Sequence, residues 1–144
     1  MRVRTVALLL ALFAAGCPSP EPIEPVFPED YASSYTEVRD CRRSPEHDLA
    51  YIRVFASPDA RAVYETRAGD FPEGAVIVKE EHATADCDDL TGWAVMRREG
   101  ADWRWQDVAP DRVVIEDGAL PRCAGCHAGC GVPPDGYQGT CAVP

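Results

Sequence analysis

The chain has 144 residues and 15.7 kDa, with 46% hydrophobic and 26% charged residues, which suits one small folded unit and excludes a multidomain enzyme. Against 14 basic residues stand 24 acidic ones, a net charge of −10, and this lacks the clustered Lys and Arg that binding nucleic acid needs. Seven cysteines are an odd number to account for, and 13 prolines are unevenly placed.

Arg2 and Arg4 precede an apolar run from Val6 to Ala15. A positive start before a short apolar core reads as a secretory signal, and a span across a bilayer needs about 20 residues. The run ends in Ala14-Ala15-Gly16-Cys17, which resembles a bacterial lipoprotein signal, with Ala14 where Leu is commoner. The expectation is a signal peptide over 1–16 and a lipidated Cys17 that anchors an exported chain facing the periplasm or cell surface. Several acyl chains make such an anchor stable. The other reading is an ordinary signal cut elsewhere, with Cys17 in a disulfide. Residues 18–30 hold five prolines and four acids, a composition that stays extended. Residues 17–40 are therefore expected to carry the lipid and act as a tether, and 41–144 to form the domain.

Tyr51-Ile52-Arg53-Val54-Phe55 reads as a strand. Ser57-Pro58 gives a helix start, Ala60, Val63, Tyr64 and Arg67 follow at helical spacing, and Gly69 offers a stop. After a turn at Asp70–Gly74, Ala75–Glu80 and Trp93–Arg98 read as strands. A turn at Glu99–Asp102 leads into Trp103–Asp107, where Trp103 and Trp105 share one face. Val113–Ile115 is a further short strand. The expected class is α+β, mostly β: one antiparallel sheet, one main helix packed on it, and a C-terminal haem-attachment segment.

That segment is Cys123-Ala124-Gly125-Cys126-His127, the C-x-x-C-H pattern of covalent haem c. Two thiols three residues apart reach two vinyl groups, and the next imidazole ligates the iron. One covalent haem is the expected cofactor, with His127 as its metal ligand. Two other readings compete. Cys123, Cys126, Cys130 and Cys141 could form a disulfide knot. Cys123, Cys126, His127 and Cys130 could hold a metal, though four ligands in eight residues are cramped. No His or Met follows His127, so a sixth iron ligand must come from His47, His82 or Met96; a five-coordinate haem is the expected state. An open iron position suits small diatomic ligands or redox chemistry.

The order of these pieces resembles the cytochrome P-460 family and the related β-type cytochromes c′. The resemblance covers about His47 to His127 and rests on Ile52–Phe55, Ala62-Val63-Tyr64, the string Phe71-Pro72-Glu73-Gly74-Ala75-Val76-Ile77-Val78-Lys79-Glu80, Val95–Gly100, Trp103-Arg104-Trp105 and the haem motif. It implies a β-rich periplasmic protein, usually dimeric, with one C-terminal haem. It also implies either oxidation of hydroxylamine, with a lysine–haem cross-link, or binding of nitric oxide in an apolar pocket. Whether this chain is catalytic stays open. An electron-transfer cytochrome that performs no catalysis, and a haem-free surface lipoprotein stapled by disulfides, remain the alternatives.

Carried over residue by residue, Lys79 aligns with the cross-linking lysine. Phe55 and Phe71 could cap the distal face, and Arg53 could pair with a haem propionate. Glu80 and Glu81 could serve as distal acid or base. The expected partners are a small nitrogen-containing ligand or substrate, a redox partner protein, a second copy of the chain and a membrane reached by lipid alone. The chain departs from the family in its tether, in Cys87 within an acidic loop, and in a cysteine-bearing tail. The last two suggest disulfides. Cys41, Cys87, Cys130 and Cys141 permit three pairings, and Cys41–Cys87 with Cys130–Cys141 is expected because the second pair closes a short loop.

Overall fold

The computed structural model describes residues 21–141. Six strands run β1 (Thr36–Arg43), β2 (Tyr51–Ala56), β3 (Val76–His82), β4 (Leu90–Glu99), β5 (Asp102–Val108) and β6 (Val114–Gly118). They pair in chain order, every neighbour antiparallel, as one meander. Helix α1 (Tyr31–Ser34) precedes β1, α2 (Pro58–Thr66) joins β2 to β3, and α3 (Pro121–His127) follows β6 and runs into a 3₁₀ turn at Ala128–Cys130. The fold is mostly β with helices added.

Both faces of the sheet are covered, so the central strands are apolar on both sides. On the front face, Ile52, Val54 and Ala56 of β2 and Ile77 of β3 pack under α2, with Tyr64 fully buried among them. Residues of opposite parity, Phe55, Val76, Val78, Trp93 and Val95, form the back core. Phe27 and Tyr31 cover that back core and are 2% and 7% exposed. Gln106 pins the chain leading to them: its amide donates to the Glu24 carbonyl at 3.1 Å and its oxygen accepts from Val26 N–H at 2.8 Å. Within the stretch expected as tether, therefore, packed chain begins near Glu24, and β1 already belongs to the sheet.

Helix α2 starts at Pro58 behind Ser57 as expected, but the Ser57 hydroxyl accepts from Val76 N–H at 3.0 Å and ties the helix start to β3. The helix stops at Arg67 rather than Gly69. Arg67 takes the left-handed conformation (φ 52°) and its guanidinium stacks 4.6 Å from the Tyr64 ring. Both expected disulfides are present, Cys41–Cys87 and Cys130–Cys141. The first ties β1 to the loop after β3, and the second closes the tail.

Candidate functional site

The C-x-x-C-H motif forms α3. Pro121 suits the first helical turn, where its missing N–H costs nothing. Residues three apart on a helix share a face, so Cys123 and Cys126 stand together. Both are free thiols; Cys123 is half-buried against the front core, and Cys126 is exposed. His127 ends the helix with its ring 4.5 Å from that of Trp105. Its Nδ1 donates to the Gly139 carbonyl at 2.6 Å. This contact fixes the tautomer and leaves the lone pair on Nε2. Burial pushes the His127 imidazole down to about 4, against the Gly139 contact that raises it, so the ring is neutral at ordinary pH.

The tail is folded to present that carbonyl. Cys130–Cys141 closes the loop, Gly139 N–H donates to Cys130 O at 3.0 Å, and Trp103 Nε1 donates to Gln138 O at 2.7 Å. Thr140 Oγ1 accepts from Arg67 at 2.6 Å, and the Tyr137 hydroxyl donates to Gly69 O at 2.6 Å. Gly136 has no room for a side chain: a Cβ there would stand 2.5 Å from the Cys130 Cβ. Gly139 sits at φ +87°, where a Cβ would meet the Trp103 ring at 3.2 Å.

α3, the tail and the front face enclose a cavity of about 530 Å³, within the range of about 300–1,000 Å³ typical of small-molecule and cofactor pockets. Ile52, Val54, Ile77, Ala94, Met96 and Trp105 give it an apolar floor. Cys123, Cys126 and His127 line one side, and Arg39 and Arg42 of β1 another. Lys79 points into the same space. Its Nζ lies 2.5 and 2.7 Å from the two ring nitrogens of His47 and 3.4 Å from Glu81. Burial lowers the Lys79 amine to about 8, with the Glu81 carboxylate working against the shift. The rings of His47 and His127 are 6.4 Å apart.

Strand parity sorts the remaining expected residues. Arg53, Phe55, Glu80 and His82 belong to the back face and do not line the cavity. Arg53 lies 3.5 Å from Glu80 and donates to the Cys87 carbonyl at 3.3 Å, so it is not placed to pair with a propionate there. Glu80 accepts from the Tyr31 hydroxyl at 2.5 Å and pairs with His82 Nε2 at 3.0 Å, so Glu81 is the acid beside Lys79. Burial, then the Glu80 contact, hold the Tyr31 hydroxyl far above its ordinary value. Phe55 packs edge-on against Tyr31 at 5.4 Å, not over the cavity. Phe71 is on the front side but packs against Trp103 at 5.1 Å rather than lining the space. Of the three candidate sixth ligands, His47 and Met96 line the cavity and His82 does not.

Cys130 is spent in a disulfide, so the four-ligand set of Cys123, Cys126, His127 and Cys130 does not form. Cys17 lies outside the described residues. Arg39, Arg42 and Tyr64 line the cavity, and sequence reasoning did not single them out as site residues. The donor set fits covalent haem: two free thiols on one helix face, a neutral imidazole with one nitrogen committed, and an apolar floor. Compared with known proteins, the chain matches no family model and no curated protein.

Proposed function

We propose that the chain is an exported, lipid-anchored cytochrome of the P-460 type, carrying one haem c on Cys123 and Cys126 with His127 as its ligand. Its task in this reading is to bind small nitrogen species such as nitric oxide, or to perform redox chemistry on ones such as hydroxylamine. The supporting observation is that both free thiols and His127 line one cavity with an apolar floor. The haem, once bound, supplies the redox couple and the open iron position.

The chain's own residues do the rest. The Gly139 carbonyl orients His127 and makes its imidazole a stronger donor. Ile77, Ala94 and Met96 keep water from the floor, which strengthens every polar contact made there. Lys79 and His47 are polar groups of the cavity wall, and Glu81, outside the lining, lies 3.4 Å from each of them. An amine near 8 beside an imidazole and a carboxylate can donate a hydrogen bond to a polar nitrogen ligand or move a proton at it. Lys79 also stands where the resemblance implies a cross-link.

The test is mass spectrometry of the mature chain, joined to the spectrum of the ferrous protein. The expected result is one haem mass on the peptide containing Cys123 and Cys126, and a spectrum that responds to nitric oxide. A peptide without that mass overturns the reading. Turnover of hydroxylamine separates an enzyme from a protein that only binds or passes electrons.

A further inference from the structure

Arg39 and Arg42 are three residues apart on β1, and a regular pleat would send them to opposite faces. The pairing of β1 with β2 is broken between them, a shift in register of the kind a β-bulge makes. As a result Arg39 stands opposite Val54 and Arg42 opposite Ile52, both floor residues of the cavity. Bulges re-aim side chains, and this one brings two like charges to one pocket.

The arginines are not equally satisfied. Arg42 is at the rim and pairs with Asp40. Arg39 is half-buried, and its Nε is shut off from solvent with no hydrogen-bond partner. A buried donor without a partner is costly, and more so when the group is charged. Burial and the neighbouring Arg42 both weaken the hold of Arg39 on its charge. Glu46 and Asp135 are the acids of the cavity wall.

The cavity is thus polarised. The thiols and His127 stand near β5, since His127 packs on Trp105, while the guanidinium groups stand on β1. The two strands are four places apart in the sheet, roughly 19 Å at about 4.8 Å per strand. Between them the floor is apolar except at Lys79 of β3, which stands with His47 in the same space. Such a space fits a flat apolar ligand with groups reactive toward thiols on one edge and carboxylates on the other. We propose that Arg39 and Arg42 are the carboxylate-binding end of the pocket and take the two propionates of the haem. The fork of a guanidinium matches a carboxylate bidentately. This assignment rests on the haem reading and gives the propionates the partner that Arg53 cannot supply.

The test uses the haem-loaded full chain and its Arg39→Gln, Arg39→Lys and Arg42→Gln variants. Haem content is read first, by mass, then the midpoint reduction potential and the propionate bands by resonance Raman. Arg39→Gln is expected to keep the covalent haem, shift the propionate bands and lower the potential, because an unpaired carboxylate favours ferric iron. Arg39→Lys restores the charge but not the fork, so it recovers part of the potential while the bands stay shifted. Arg42→Gln, at an exposed position, lowers the potential as well and decides the matter if Arg39→Gln does not load. Potentials and bands unchanged in the loaded variants overturn the assignment while leaving the haem in place. A wild-type chain without haem overturns the haem reading and this inference with it.

Discussion

His127 donates a hydrogen bond from Nδ1–H to the carbonyl of Gly139, a residue twelve positions downstream, at 2.6 Å. The histidine of the motif is thereby oriented by the tail that follows it. That tail is held by the Cys130–Cys141 disulfide.

Replacing both cysteines in Cys130→Ser/Cys141→Ser is expected to destabilise the chain by about 3 kcal/mol, from the loop entropy released to the unfolded state. Urea unfolding of the two forms measures it. The Cys41–Cys87 bridge spans 46 residues, and its removal is expected to cost about 4 kcal/mol by the same relation.

Gly139→Ala places a Cβ at φ +87° and 3.2 Å from the Trp103 ring. The expected loss is about 1–2 kcal/mol, from left-handed strain plus the displaced indole. Gly136→Ala meets Cys130 and the Thr140 carbonyl instead, at 2.5 and 2.6 Å, and is expected to cost more. Thermal unfolding ranks the two, and the reverse order would sink this account of the loop.

The Lys79 amine is lowered by burial to about 8, below its value in an unfolded chain. Below pH 8 both states are protonated and the folded state carries the full penalty. Between about pH 8 and 10.4 the unfolded chain binds the proton more strongly, so stability rises with pH across that window. The gain is roughly 3 kcal/mol at most. Lys79→Met, measured in urea at pH 7 and pH 10, is expected to remove this rise; an unchanged slope would refute it.

On the back face the Tyr31 hydroxyl donates to Glu80 and accepts from Trp93 Nε1 at 2.8 Å. Tyr31→Phe leaves both partners one contact short, at a cost of about 1–3 kcal/mol. Because this cluster is on the face away from the cavity, the mutation is expected to leave the spectrum of the loaded protein unchanged. Paired unfolding and absorption measurements check both halves.

Much of the fold is legible because the central strands are short, mostly apolar runs bounded by turns. The central strands read directly from Ile52–Phe55, Val76–Val78 and Trp93–Met96. Strand β1, Thr-Glu-Val-Arg-Asp-Cys-Arg-Arg, is not legible, since it is a polar edge strand whose register shifts break the period of two. The same shifts hid Arg39 and Arg42. The motif named Cys123, Cys126 and His127 because their spacing is local. The resemblance offers Lys79, Arg53, Phe55 and Glu80 together as haem contacts, but a single step along a strand reverses the face, and only Lys79 lines the cavity. The face depends on which side α3 covers, and that is a long-range fact. Phe27 and Tyr31 were masked by the prolines and acids around them.

The grip of Gln106 on Glu24 and Val26 has a consequence for where this domain can stand. Glu24 is seven positions after Cys17. Fully extended, seven residues reach about 25 Å. A lipid on Cys17 would therefore hold the domain on a short leash. The strap enters across the sheet's back, so that side would be turned to the bilayer. The cavity, on the sheet's opposite face, would then stand on the side away from the lipid.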